Sequence, residues 1–234
     1  MDRLHRFALA AVAAACGSTL LIAASPSPAA PAAERNADPY TLPVDPVSGE
    51  RLGKNAIVRE YDGREVRFAS ERTAERFEAD LKANLAALDE RMIEDQAAFY
   101  PMQVCLVAKH PPKEGEAWTD VVYRNRLVRF CCAGCEFKLE KQPEKYLADL
   151  DAAVIEQQRE AYPLQKCLVG GGALGSMGEP HEVVLANRLV RLCCDSCEET
   201  LRENAPQLIA ELDAAWRKQD PQRFAASEPA PAAE

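Results

Sequence analysis

The sequence predicts an α+β protein built from three tandem modules, each a β-hairpin followed by a helix, joined to one another by helices. Two copies match closely: YPMQVCLV from Tyr100 matches YPLQKCLV from Tyr162, and NRLVRFCCAGCE from Asn125 matches NRLVRLCCDSCE from Asn187, both 62 positions apart. A weaker copy begins upstream at Tyr40. Because similarity at a fixed period marks repeated supersecondary units, we expect three modules of one architecture.

Each copy contains two short runs rich in Val, Leu and aromatic residues, which is typical of paired β-strands. The runs are separated by Asp62-Gly63, Arg124-Asn125 and Ala186-Asn187 in the three copies. Gly and Asn tolerate the positive φ that a two-residue hairpin turn requires at its second central position. The pattern therefore predicts a tight antiparallel hairpin in every copy.

Apolar residues at a spacing of three to four follow each hairpin and predict an amphipathic helix. Pro143 and Pro206 interrupt this pattern in the second and third copies. Because proline lacks an N–H group and clashes with the preceding turn, we expect a short helix, a break and a longer helix there. In the first copy we expect one continuous helix. The periodic positions are Phe77, Leu81, Leu85, Leu88 and Met92; Leu147, Leu150 and Val154; and Leu208, Leu212 and Ala215.

The N-terminus predicts export. Arg3 and Arg6 precede an apolar run from Phe7 to Ala24 and then small residues, which is the pattern of a secretory signal. Two alternatives stay open, since the run is about long enough to remain as an uncleaved anchor and Cys16 could be lipidated. We therefore expect a periplasmic or cell-envelope location, with membrane contact only through the N-terminus. The predicted boundaries are 1–24 for the signal peptide or anchor, 25–39 for a Pro/Ala-rich linker, 40–96, 97–158 and 159–219 for the three modules, and 220–234 for a disordered tail.

The second and third modules each carry four cysteines, and the first carries none. One cysteine precedes the hairpin, two end its second strand and one falls in the first turn of the helix, so the predicted fold brings the four together. The aligned residues of the first module are Asp45, Ala69, Ser70 and Thr73. The candidate ligands are Cys105, Cys131, Cys132 and Cys135 in the second module and Cys167, Cys193, Cys194 and Cys197 in the third.

Clustered thiols of this kind indicate a thiophilic metal. A helix N-terminus carries partial positive charge and free N–H groups, and we expect these to lower the pKa of the thiols beside it and favour the thiolate that binds metal. Four thiolates near one point suit zinc(II) or copper(I). The sequence thus predicts two ions per chain, one in each cysteine-containing module.

These segments resemble the YHS and TRASH families, the latter named for trafficking, resistance and sensing of heavy metals. Their shared pattern is an early Cys or Asp-Pro-Val, a hairpin, and Phe-Cys-x-x-x-Cys opening a helix. The second module matches it at Cys105 and at FCCAGC from Phe130, the third at Cys167 and at CCDSC from Cys193, and the first keeps DPVSG from Asp45. The resemblance covers almost the whole mature chain. It implies that Cys131, Cys135, Cys193 and Cys197 are ligands, whereas Cys132 and Cys194 stand where the families vary.

Three other interpretations of the cysteines stay open. An even number of exported thiols favours disulfides, although adjacent Cys131 and Cys132 cannot form an unstrained bridge with each other. A metal could serve only to stabilise a module of about 60 residues, but the first module argues against this because it keeps the pattern without thiols. Cys132 and Cys135 form a C-x-x-C pair at a helix start, as in thiol-disulfide oxidoreductases, but the βαβ context of those enzymes is absent.

The leading interpretation is an exported metal-binding protein that buffers, carries or senses zinc or copper. The alternatives are a thiol-disulfide oxidoreductase and a disulfide-stabilised interaction module. We expect no enzyme of another class, because no Ser/His/Asp set, catalytic carboxylate pair or phosphate-binding Gly loop is visible. The net charge of −9 argues against nucleic acid, and the expected partner is a membrane metal transporter or another exported protein. Three weaker soft-metal candidates recur in no other module: His110, His181 and Met177.

Overall fold

A computed structural model describes residues 37–225, and this part of the chain has the predicted α+β composition, with three antiparallel hairpins and seven helices. The predicted signal segment and Cys16 lie outside the described residues. Within residues 37–225, no helix is long and apolar enough to cross a membrane. The elements are β1 (Ile57–Tyr61), β2 (Arg64–Phe68), α1 (Glu71–Glu78), α2 (Leu81–Ala97), β3 (Thr119–Tyr123), β4 (Arg126–Phe130), α3 (Gly134–Lys141), α4 (Pro143–Gln158), β5 (His181–Leu185), β6 (Arg188–Leu192), α5 (Cys197–Glu203), α6 (Ala205–Gln219) and α7 (Gln222–Ala225).

All three hairpins have the predicted two-residue turns. In the first, Tyr61 lies opposite Arg64, and the other two hairpins pair in the same register. Both central residues of every turn have positive φ, from 47° at Ala186 to 72° at Gly63. This is the type I′ conformation, whose twist matches that of the strands it joins.

The helices follow the prediction where proline is present. Pro143 is the first residue of α4 and Pro206 lies in the first turn of α6, each directly after a separate short helix. The expectation of one continuous helix in the first module is wrong, because α1 and α2 are separate there too. Asp80 caps α2, its carboxylate accepting a hydrogen bond from Ala83 N at 3.3 Å. An N-cap can therefore begin a new helix where no proline marks the break.

Each module has an apolar core between the hairpin and its helices, and neighbouring modules contribute to it, as Val122 does in the first core and Val154 in the third. In the first module, Phe68 and Phe77 meet edge to face with ring centroids 5.3 Å apart. The third core also buries Phe99 and Phe224, whose rings are 5.4 Å apart. Phe224 belongs to α7, in the stretch that the sequence assigned to a disordered tail. The folded part therefore extends beyond residue 219.

The second and third hairpin turns meet in a buried polar cluster, here termed the polar hub, which also contacts strand β2 of the first hairpin. Asn125 in the second turn donates to Glu65 O in the first hairpin at 2.8 Å, and Asn187 in the third turn donates to Leu127 O in the second at 2.9 Å. Each turn thus holds the hairpin that precedes it. The side chains of the polar hub are Asp38, Gln96, Asn125, Arg126, Gln158, Asn187 and Arg188, all buried.

One glutamine attaches each of the helices α2 and α4 to the next hairpin. Gln96 of α2 donates to Asn125 O at 2.9 Å and accepts from Leu127 N at 2.8 Å. Gln158 of α4 makes the same pair of bonds to the third hairpin, each 2.9 Å long. Helices α2 and α4 therefore join consecutive modules, as the sequence predicted.

Asp38 connects the second and third modules, although the sequence placed it in the linker. Its carboxylate, 6% exposed, accepts two hydrogen bonds from Arg126 at 2.8 and 3.0 Å and one from Ala186 N at 2.7 Å. Arg126 also pairs with Asp151 of α4. The folded part thus includes residues before Tyr40, and Asp38 lies at the centre of the fold.

Candidate metal centre

A tight loop ahead of each hairpin presents the first cysteine of the module. In the second module Cys105 N donates to His110 O and Lys109 N donates to Cys105 O, both at 2.9 Å. Ala108 N points at the sulfur and lies 3.3 Å from Cys105 Sγ. Residues 167–172 repeat these bonds in the third module. We call residues 105–110 and 167–172 the cysteine loops.

The end of the hairpin and the start of the next helix supply the other thiols. Strand β4 ends at Phe130, so Cys131 and Cys132 follow the strand, whereas the sequence placed them within it. Cys135 lies in the first turn of α3, as predicted, and its Sγ is 3.9 Å from Cys131 Sγ. Three segments far apart in the module therefore converge at one point.

This convergence produces two buried cysteine triads. Within each triad all three sulfurs lie within 4.8 Å of one another. A tetrahedral zinc site with Zn–S bonds of about 2.3 Å has neighbouring sulfurs about 3.8 Å apart, so little movement is needed to enclose an ion. Two groups could thus hold one metal ion each. The triads are Cys105, Cys131 and Cys135, and Cys167, Cys193 and Cys197.

Cys132 and Cys194 lie beside the triads rather than within them. Cys132 is exposed, and its Sγ is 3.9 Å from that of Cys135, a contact that lowers the pKa of the Cys132 thiol. Cys194 is half-buried, and the Ser196 hydroxyl 3.1 Å away lowers the pKa of its thiol. Each is placed as a fourth ligand that an ion could recruit.

Within each triad the thiol of the loop cysteine ionises most readily. Burial opposes ionisation of Cys105, but the N–H groups directed at its sulfur, those of Ala108 and Cys131 among them, outweigh burial and lower its pKa. Burial, followed by the contact with Cys105, raises the pKa of Cys135 to about 12. Burial likewise raises the pKa of Cys197 to about 12. The expectation that a helix N-terminus lowers the pKa is therefore wrong for these two thiols, and a bound ion must displace their protons.

In the first module a carboxylate takes the place of the loop cysteine. Asp45 accepts hydrogen bonds from Val47 N and Ser48 N in its own loop, at 2.7 and 2.8 Å. It also accepts from Ala69 N and Thr73 Oγ1, both at 2.7 Å. Although burial raises the pKa of Asp45, these four hydrogen bonds outweigh it, and the pKa is lowered. The carboxylate thus ties the loop to the start of α1.

The remaining candidates lie outside the triads. All eight cysteines of the described chain are free, with sulfurs no closer than 3.7 Å in the thiol contacts, so they form no disulfide. His110 is exposed, and Met177 is 72% exposed. His181 Nε2 lies 3.0 Å from Glu198 Oε2. Neither histidine belongs to a triad.

Sequence reasoning missed the part that the loop backbone plays. The amides that face the sulfur depend on a left-handed residue four positions after the first ligand, with φ of 72° at Gly49, 58° at Lys109 and 66° at Gly171. Gly at two of the three aligned positions was a visible signal. It would have predicted a tight loop with its amides turned inward.

Comparisons with models of protein families, with curated proteins and with solved structures find no match to this chain. The geometry of the two triads is therefore the basis for the assignment of function.

Proposed function

We propose that this chain is an exported metal-binding protein that buffers or carries a thiophilic ion, zinc(II) or copper(I), with one ion in each cysteine triad. The observation that carries the proposal is the repeated convergence of three buried sulfurs from a loop, a strand end and a helix start. Once one thiol of a triad is ionised, repulsion between negative charges disfavours ionisation of the other two, and a bound cation removes that repulsion.

The modules are proposed to be of the YHS or TRASH type, on the strength of the motif around Cys105, Cys131 and Cys135 and its copy. In this proposal the protein receives its ion from, or delivers it to, a membrane metal transporter or another exported protein. The described residues offer backbone amides to the loop sulfur, and such N–H···S bonds support a thiolate ligand.

A thiol-disulfide oxidoreductase is the second candidate, and one observation favours it. Cys132 is exposed, its thiol has a lowered pKa, and Cys135 lies 3.9 Å away. An exposed thiol of this kind beside a buried one is the arrangement of a redox pair. That function leaves the buried loop cysteine without a role, which is why metal binding is preferred.

Metal stoichiometry of the reduced chain tests the proposal. Full-length protein treated with excess zinc(II) under anaerobic conditions and then desalted is expected to retain two ions, measured by elemental analysis. Replacing Cys105, Cys131 and Cys135 together by Ser is expected to leave one, because the third module keeps its own triad. A chain that binds no zinc(II) or copper(I), yet reduces a disulfide substrate, would support the redox candidate instead.

The same measurement can test whether a third site is gained when three cysteines are introduced into the first module. Asp45→Cys, Ala69→Cys and Thr73→Cys together place three thiols where the aligned triads have theirs. This triple variant is expected to retain three ions, since the loop and the helix start have the same arrangement in the first module. The matched control carries Asp45→Ser, Ala69→Ser and Thr73→Ser and is expected to retain two. Two ions in both variants would show that the triad residues alone do not make the site.

A further inference from the structure

The second and third modules differ in the surroundings of their triads, and we propose that they divide two tasks. The third module retains its ion, whereas the second module exchanges its ion with a thiol-bearing acceptor that replaces Cys132. This inference rests on the proposed function and adds to it which site releases metal, through which residue, and to what chemistry.

The fourth thiol is the first difference. In the third module, Cys194 is half-buried and its sulfur lies 3.9 Å from Cys193 Sγ and 3.7 Å from Cys197 Sγ. In the second module, Cys132 is exposed, and its sulfur lies 3.9 Å from Cys135 Sγ and also interacts with the Cys131 thiol. Because a closed zinc site has four protein ligands, the third module is nearer to a closed site. The exposed sulfur of the second module is the ligand that an incoming molecule can reach.

The wall of the site is the second difference. A methyl group added at Gly170 would lie 3.2 Å from Cys193 Sγ and 3.6 Å from Cys197 Sγ. The second module has such a methyl group, because Ala108 stands at the aligned position and packs against that module's core. In the proposed division, the space beside Gly170 allows the sulfurs of the third module to adjust around an ion together with Cys194. The methyl group of Ala108 limits this adjustment in the second module, so Cys132 is the ligand that is released more readily.

The exchange step is a ligand substitution without net oxidation or reduction. A thiol of the acceptor forms a metal–sulfur bond as the bond between the metal and Cys132 Sγ breaks. The proton lost by the incoming thiol passes to the released Cys132 thiolate. Repetition of this step at the other ligands moves the ion to the acceptor. The acceptor is therefore a molecule with two or more accessible thiols, such as a Cys-x-x-Cys segment of a transporter.

Release kinetics of the zinc-loaded full-length chain test this division. The protein holding two zinc(II) ions is mixed with excess 4-(2-pyridylazo)resorcinol, an indicator that colours on binding zinc, with and without glutathione as the incoming thiol. We expect two phases of equal amplitude whose rates differ by at least about tenfold, since differences between related sites lie mainly in dissociation. Glutathione should accelerate the fast phase in proportion to its concentration.

The matched variants Cys132→Ser and Cys194→Ser assign the phases. Cys132→Ser should change only the fast phase and abolish its dependence on glutathione, and Cys194→Ser should change only the slow phase. A single phase in the unaltered chain, or a fast phase that responds to Cys194→Ser, would overturn the division while leaving two bound ions and the proposed function intact. A chain that holds no zinc at the outset would overturn both.

Discussion

Asp45 stands where Cys105 and Cys167 stand in the other modules, and its carboxylate links the loop before β1 to the start of α1 through Ala69 N and Thr73 Oγ1. The first module therefore has a cross-link at the place where the other two would have a bound ion. The absence of thiols from the first module therefore does not show that the architecture is stable without a bound ion or an equivalent cross-link. An ion in the second or third module is thus expected to stabilise that module as well as to be carried by it.

Replacement of Asp45 by Asn tests this cross-link. Both carboxylate oxygens of Asp45 accept hydrogen bonds, whereas Asn has one oxygen and one NH₂ group. The NH₂ group would face an N–H donor of Ala69 or of the loop, so at least one hydrogen bond is lost. Hydrogen bonds to charged groups contribute roughly 1.5 to 3 kcal/mol, and we expect the free energy of unfolding to fall by about 2 kcal/mol at pH 7. Urea titration of the reduced chain in chelator measures it. Asp62→Asn, at an exposed turn position, is the control and should change little.

The pH dependence of that difference has a definite sign. The pKa of Asp45 is lowered in the folded chain, whereas an unfolded Asp has a pKa of about 3.9. The charged carboxylate therefore adds stability that is fully present above the unfolded value and is lost as the pH falls through the folded value. The difference in the free energy of unfolding between the original chain and Asp45→Asn should be constant near neutral pH and should decrease below about pH 4. A difference in the free energy of unfolding that increased in acid would contradict the role given to the carboxylate.

At the scale of elements, the cysteine loops share one backbone shape but not one sequence. Lys109 holds the left-handed conformation that Gly171 holds in the third module, with φ of 58° and 66°. A side chain in this region costs roughly 1 kcal/mol or more. The ion pair of Lys109 with Asp149 is half-exposed and offsets little of that cost. The second loop is therefore strained where the third is not.

Lys109→Gly is expected to raise the free energy of unfolding by about 1 kcal/mol, since it removes the backbone strain. Lys109→Ala is the control, because it removes the ion pair while keeping the strain. Gly171→Ala is expected to lower the stability by a similar amount, since no neighbouring atom lies within 4 Å of an added methyl group and only backbone strain is introduced. Thermal denaturation of the three variants measures these changes in stability. Equal shifts for the two Lys109 variants would disprove the explanation.

The elements themselves were largely predictable, since their signals are local. Gly63 and Asn125 predicted the hairpin turns, and Pro143 and Pro206 predicted the helix breaks. The break before Asp80 was missed because the apolar period continues across it from Phe77 and conceals the N-cap. Spacing placed the three thiols of each triad together. It could not place their protonation states, because the pKa of a buried thiol depends on packing from distant segments.

For the whole molecule, the polar hub adds buried hydrogen bonds to the apolar contacts that cross module boundaries, such as Val122 of β3 in the first core. Local pattern did not predict it, because its side chains come from positions as far apart as Asp38 and Arg188. One signal was nevertheless present in the repeat, since Gln96 and Gln158 are separated by the same 62 positions as the cysteine motifs. Both glutamines are buried, and each accepts a hydrogen bond from the hairpin of the following module. The hub therefore sets how consecutive modules are joined.

Arg126 is the residue through which this joining can be tested. Its guanidinium pairs with Asp38 and Asp151 and donates to Val184 O in β5 at 3.0 Å. Removal of one partner from a buried ion pair costs roughly 3 to 5 kcal/mol, because the remaining charges are left uncompensated. Arg126→Ala is therefore expected to destabilise the chain by about that amount, whereas Arg59→Ala, at an exposed ion pair, should cost less than about 1 kcal/mol.

The distribution of the effect distinguishes a hub from a local ion pair. If the hub couples the modules, Arg126→Ala should speed hydrogen exchange of the backbone amides in β5 and β6 as well as in β3 and β4. The zinc-loaded chain is the form to measure, since bound ions keep each triad assembled. Faster exchange confined to β3 and β4 would mean that the third module depends on its own core alone. Faster exchange in both hairpins with two ions still bound would show that the hub couples the second and third modules.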